Sequence, residues 1–292
     1  YTTLFRSVRD ITWKQAGDEV RRMAAWLTAQ GWPAGSKVAI LGKNSAHWIL
    51  ADLAIWMAGH VSVPIYPTFN GDALRFILSH SESKACFVGK LDEVGSLKDG
   101  IPAGVTLVSL PLAPPLPNLS WDAAIAPSQP LQGTPVRAGE DLATIIYTSG
   151  TTGNPKGVMQ SFAAMTWALS SGHERVRFGN SERMLSYLPL AHVAERILVE
   201  QGALRFGFHV YFAESLDTFV QDMQRARPTL FFSVPRLWVK FQQGVYKKMP
   251  PQKLKRLMGI PIIGGLVRRK LLKGLGLDQC RLAVGGAAPM PP

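Results

Sequence analysis

Cysteine is scarce in this sequence: 292 residues contain only Cys86 and Cys280. They lie far apart, each among apolar neighbours. The expectation is two buried free thiols in a reducing compartment, with a disulfide framework or a cysteine-held metal disfavoured. No zinc-type spacing of His and Cys occurs. Long apolar runs are also missing. The nearest approach, Trp48 to Gly59, is broken by Asp52 and reaches about half of the ~20 residues that a bilayer span needs, which favours a buried helix. There are no tandem repeats or low-complexity runs, and 47% hydrophobic with 18% charged residues excludes a disordered chain. Acidic residues are absent from one long stretch. Between Lys240 and Lys273 stand ten Lys and Arg but no Asp or Glu, so of the net charge of +12 only +2 remains for the rest of the chain. The basicity is local and needs a local explanation.

What is present alternates. Thr12-Trp13-Lys14-Gln15 has the form of a capping box, and Ala16, Val20, Met23, Ala24 and Leu27 follow at helical spacing. Short β-rich runs at 37–41, 61–65 and 84–88 are separated by helical patterns, which is the unit of a parallel sheet. Seven prolines between Leu110 and Gly139 mark a surface connection with a short helix at Trp121 to Ile125. Beyond it, strands are expected at 142–146, 183–187, 209–212, 229–233 and 280–284. Helices are expected at 161–171, 194–206 and 218–227, and from Pro235, a favoured first helical residue. The fold class is therefore α/β, with largely parallel β-sheets flanked by helices. Three regions are expected: a first α/β subdomain at 1–109, the Pro-rich connection at 110–139, and a second α/β subdomain at 140–292.

The segment from Tyr147 to Gly157 carries the chemistry. It reads Tyr147-Thr148-Ser149-Gly150-Thr151-Thr152-Gly153-Asn154-Pro155-Lys156-Gly157 after an apolar strand. Glycines let successive N–H groups approach one anion, hydroxyls add donors, and Lys156 adds a mobile cation, so the loop suits nucleotide phosphates. The Walker A order is excluded, because Asn154-Pro155-Lys156-Gly157 stands where Gly-Lys-Ser/Thr would be needed. In α/β folds nucleotides bind beyond the carboxyl ends of strands, and this loop follows such an end. Three later segments have a similar setting: Leu188 to Arg196 with His192, Ser233-Val234-Pro235-Arg236, and Gly285-Gly286-Ala287. Each also has a plain structural reading, as a strand-to-helix turn, a helix start and a glycine turn.

The loop resembles the signature loop of the adenylate-forming superfamily. With the Val-Pro-Arg and Gly-Gly-Ala segments in the same order, the chain looks most like the N-terminal portion of long-chain fatty acyl-CoA synthetases. The resemblance implies the incomplete large N-terminal domain of such an enzyme, a ligase that uses ATP, Mg2+ and coenzyme A to convert a fatty acid to acyl-AMP and then to its thioester. It implies that Ser149, Gly150, Thr151, Thr152, Gly153 and Lys156 hold the β- and γ-phosphates and that Thr148 meets the magnesium. His192 would lie at the acyl site, and Gly285, Gly286 and Ala287 would back the adenine and the acyl chain. Relatives continue with a Tyr-Gly-x-Thr-Glu motif and a small C-terminal domain bearing a lysine. Neither occurs before Pro292, so a fragment that is inactive alone is expected. An acyl-AMP ligase, another adenylate-forming acid ligase and a non-catalytic nucleotide- or lipid-binding module stay open.

The basic stretch at 240–273 reads in three ways: solvated helices, an anionic membrane surface, or a nucleic-acid patch. The last is not expected, since aromatic interleaving is missing. The resemblance adds a fatty acid partner and a cytoplasmic location, peripheral at the inner membrane face.

Overall fold

The Thr12 hydroxyl accepts from the Gln15 N–H, and the Gln15 side chain accepts from the Thr12 N–H, closing the expected capping box. It opens α1 (Trp13–Ala29), whose apolar stripe Ala16, Val20, Met23, Ala24 and Leu27 is buried. The computed structural model describes residues 8–148 and 154–289. After α1 come β1 (Lys37–Leu41), α2 (Ala46–Met57), β2 (Val61–Ile65), α3 (Gly71–His80), β3 (Ala85–Val88), α4 (Gly95–Gly100) and β4 (Thr106–Ser109). Then follow β5 (Leu119–Ser120), α5 (Trp121–Ile125) and β6 (Leu142–Thr148), and β7 (Lys156–Ser161) turns back along β6. These strands form a seven-stranded sheet of order β5-β4-β3-β1-β2-β6-β7, parallel in every pair except β6 with β7. The largely parallel expectation holds. A strand at 156–161 was not expected, because Lys-Gly-Val-Met-Gln-Ser lacks an apolar alternation. Its position is decided by pairing with β6.

Helix α2 is the apolar run that Asp52 interrupts. Nine of its 12 residues are buried, Asp52 among them, as for a helix that is apolar all round inside a fold. No described helix is long and apolar enough to cross a membrane.

The chain continues with α6 (Phe162–Arg175), β8 (Arg183–Ser186), α7 (Val193–Glu195), a π-helical stretch Arg196–Gln201, α8 (Gly202–Phe206) and β9 (His209–Phe212). It ends with α9 (Phe219–Ala226), β10 (Leu230–Ser233), α10 (Pro235–Lys248), α11 (Pro251–Met258), α12 (Ile263–Leu275) and β11 (Leu282–Gly285). Two separate parallel pairs are made, β8 with β9 and β10 with β11. Two compact units result: Tyr1–Ser171 with Leu188–Ile197, and Gly172–Tyr187 with Leu198–Pro292. This division differs from the one expected at residue 140. Strand β6 pairs with β2 and so belongs to the first sheet, and the chain crosses between units by segments that local sequence does not mark.

Both thiols are free. Cys86 is buried and its pKa is pushed up to about 12 by burial. Cys280 is only half-buried, a correction to the expectation, since it follows the exposed Gln279 at the edge of its cluster.

His60 is buried with neither ring nitrogen hydrogen-bonded, and burial, with the nearby Arg137 charge second, holds its pKa below 6.5. The unfolded chain therefore takes up a proton that the folded chain resists, and this stability is present above about pH 6.5 and lost as pH falls through the folded value. Thermal unfolding midpoints are expected to drop between about pH 7.5 and about pH 5.5. In His60→Phe the drop should be smaller, and an identical pH profile would remove His60 as its source.

Candidate functional site

Strand β6 delivers Thr148 to its exposed carboxyl end, and β7 begins at Lys156, which pairs directly with Thr148. Directly paired residues of antiparallel strands project to the same face. The hydroxyl of Thr148 and the ammonium of Lys156 thus lie on one face, at the two ends of the segment in which the phosphate loop is expected. Ser149 to Gly153 lie outside the described residues.

Two features hold this hairpin. Buried Tyr147 shares a hydrogen bond of 2.7 Å with His80 Nδ1 of α3, and burial raises the pKa of the phenol. Opposite Tyr147, Gly157 leaves no room for a side chain: a Cβ there would stand 2.8 Å from Ile145 Cγ2 and 3.2 Å from Tyr147 Cζ. Gly157→Ala is expected to cost about 1–3 kcal/mol, because neither packed side chain can yield freely. Chemical denaturation measures it, and a change below about 0.5 kcal/mol would show that the hairpin opens without cost.

His192 caps α7, its Nδ1 accepting from the Ala194 N–H at 3.2 Å. That is the plain structural role weighed for it. It fixes the tautomer and leaves the Nε2–H edge of an exposed ring available.

The turn around His192 is tied down at both ends. At its start, Asn44 clamps the backbone twice, donating to the Leu188 carbonyl at 2.6 Å and accepting from the Leu190 N–H at 2.9 Å. At its end, Arg196 is fully buried. It forms an ion pair with buried Asp52 and donates to the hydroxyls of Thr144 at 2.6 Å and Ser62 at 3.2 Å. Its guanidinium also lies over Trp48 and Trp56, 5.6 and 5.3 Å from the rings. The Thr144 hydroxyl in turn donates to the Ser62 carbonyl. Ser62 with Thr144 is also the pairing that joins β2 to β6. One buried network therefore fixes the strand leading to Thr148 and the turn carrying His192. Sequence reasoning missed it, although Asp52 inside an apolar helix was the available signal.

In the second unit, the Val234-Pro235-Arg236 and Gly285-Gly286-Ala287 segments come together. They leave adjacent parallel strands, with Ser233 paired to Gly285 and the Gly286 N–H donating to the Ser233 carbonyl. Gly286 lies close to Phe232, Ala287 adopts a positive φ of 67°, and the Tyr187 hydroxyl donates to the Phe232 carbonyl at 3.2 Å. Among the described residues no group of three or more His, Cys, Asp or Glu could hold a metal.

The hairpin that presents Thr148 and Lys156 and the turn capped by His192 belong to one compact unit. The AMP-binding enzyme family model matches residues 1–292, and the chain belongs to that family. Long chain acyl-CoA synthetase 6, peroxisomal, of Arabidopsis thaliana is 31% identical over 97% of this chain and 44% of its own length. Long-chain-fatty-acid–CoA ligase ACSBG2 of Xenopus laevis is 29% identical over 96% and 44%. The chain thus spans less than half the length of these relatives. Among solved structures, the adenylation domain of a carboxylate reductase from Mycobacterium chelonae matches with a TM-score of 0.79 at 24% identity, over 97% of this chain and 48% of that one. The A domain of carboxylic acid reductase from Segniliparus rugosus, in complex with AMP and a co-purified carboxylic acid, matches with a TM-score of 0.77 at 22% identity, over 97% and 50%. The α/β fold is that of adenylate-forming enzymes.

Proposed function

We propose that the protein activates a long-chain fatty acid with ATP and transfers it to coenzyme A. The carboxylate oxygen attacks the α-phosphorus, the bond to the β-phosphate oxygen breaks, and pyrophosphate leaves. The thiol of coenzyme A then attacks the acyl carbon, AMP leaves, and the thiol proton passes to solvent. Charge gathers on phosphate oxygens in the first step, so preorganised N–H groups, hydroxyls and a cation are the useful groups, and no protein nucleophile is needed. The observation that carries the reading is the β6–β7 register, which sets exposed Lys156 beside Thr148 at the mouth of a hydroxyl- and glycine-rich loop.

In this reading Ser149 to Gly153 and Lys156 hold the β- and γ-phosphates, and Thr148 meets the magnesium that arrives with ATP. His192 offers its Nε2–H to the fatty carboxylate, and Gly285, Gly286 and Ala287 give a flat surface to the adenine and acyl chain. Because such an acid partitions into lipid, the reading includes a cytoplasmic protein at the inner membrane face, in contact with anionic lipid through residues 240–273.

The test is product analysis with the intact protein, labelled ATP and fatty acids of several lengths. AMP and pyrophosphate formed only with a fatty acid, and an acyl thioester formed only with coenzyme A, are expected. ADP as product would overturn the reading in favour of γ-phosphate transfer. Absence of nucleotide turnover would leave a binding module.

A further inference from the structure

The C-terminal end of α12 is anchored. Leu272, Leu275 and Leu277 pack with Phe219 and Met223, and Gly276, at φ 74°, sits so close to the Met223 backbone that a Cβ would approach it to 2.4 Å. The other end is different. Helix α11 buries none of its residues and α12 buries only Gly264. Gly264 lets the two helices meet, since a Cβ there would stand 2.5 Å from the Met258 carbonyl oxygen. A short helical hairpin is therefore held at its base and bare at its turn.

What the turn exposes is apolar. Met258, Ile260, Ile262, Ile263 and Leu266 are all exposed, Ile262 at 84% and Leu266 at 64%. Ile262 has φ 69° and ψ −55°, and the Ile263 N–H donates to the Pro261 carbonyl at 2.7 Å, a strained three-residue turn for a β-branched side chain. Exposed cations flank this tip: Lys253, Lys255 and Arg256 on α11, and Arg268, Arg269, Lys270 and Lys273 on α12. No acidic residue occurs between Asp222 and Asp278. A contiguous apolar tip rimmed by cations of one sign is costly in water and matches a surface that offers both hydrocarbon and anions.

We propose that the α11–α12 turn docks on an anionic lipid bilayer, with Ile262, Ile263 and Leu266 entering the acyl boundary while the flanking Lys and Arg meet the headgroups. This specifies the membrane contact included in the ligase reading and rests on that reading for its purpose, since the docked chain would meet its fatty acid where the acid resides. Its test needs neither nucleotide nor fatty acid.

The full chain is floated with vesicles of phosphatidylcholine alone and of phosphatidylcholine with phosphatidylglycerol. Binding only to the second, weakened as salt rises from about 0.1 to about 0.5 M, is expected. The triple variant Arg268→Gln/Arg269→Gln/Lys270→Gln should bind about a hundredfold more weakly. The pair Ile262→Asp/Leu266→Asp should lose at least about tenfold. All these positions are exposed, so circular dichroism should be unchanged. Equal binding to both vesicles, or wild-type binding by both variants, overturns the proposal. Retention of a single-stranded RNA with no vesicle binding does so in favour of a nucleic-acid patch. Vesicle binding by the chain, with no acyl-AMP formed by the intact protein, would leave the docking face standing and remove the ligase reading.

Discussion

Lys156→Ala is expected to lower fatty-acid-dependent AMP formation by the intact protein about 10²- to 10³-fold, the usual loss when one preorganised charge or donor is taken from a developing anion. The side chain is exposed at the first residue of β7, and its main chain is held by pairing with Thr148. The fold should therefore survive while the charge is lost. Lys156→Arg keeps the charge on a longer, planar group and should recover only part of the activity, because a compact ammonium and a guanidinium do not reach the same oxygens. The measurement is kcat/KM for ATP at saturating fatty acid, alongside the unfolding midpoint. Activity within about threefold of wild type, with the midpoint unchanged, would remove Lys156 from the site.

Arg196→Met should cost about 3–5 kcal/mol, because it leaves the Asp52 carboxylate buried without its cation. The hydroxyls of Thr144 and Ser62 lose a donor at the same time, at the pairing that joins β2 to β6. The double variant Asp52→Leu/Arg196→Met removes both charges and should regain more than half of that loss, since apolar groups of similar volume then fill the site. Denaturant titration of the wild type, both single variants and the pair measures the coupling. Additive losses would mean that the two groups do not act as a pair. The same network holds the turn bearing His192, so Arg196→Met should also reduce activity at temperatures where the protein is still folded.

Most elements follow from local pattern. The capping box at Thr12, the buried run at 46–57, the short helix at 121–125 and Pro235 at a helix start are each set by residues within one or two turns of each other. Strand β7 was not legible, because Lys-Gly-Val-Met-Gln-Ser has no alternation of its own and becomes a strand by bonding to β6. The π-helical stretch Arg196–Gln201 inside an expected α-helix escaped for a similar reason, since 3.6-residue periodicity is blind to a local change of winding.

For the candidate site the division is similar. The order of glycines, hydroxyls and Lys156, with His192 and the Gly-Gly-Ala segment downstream, was enough by itself to indicate the family, because that resemblance rests on residue types in local order. Tertiary structure decided the rest: that Lys156 stands opposite Thr148, that Arg236 and Gly286 leave neighbouring strands, and that Asp52, Ser62, Thr144 and Arg196 form one buried network. Asp52 and Arg196 are 144 residues apart. A charge inside an apolar helix announces that it needs a partner, but only the folded chain, by removing both groups from water, selects which one.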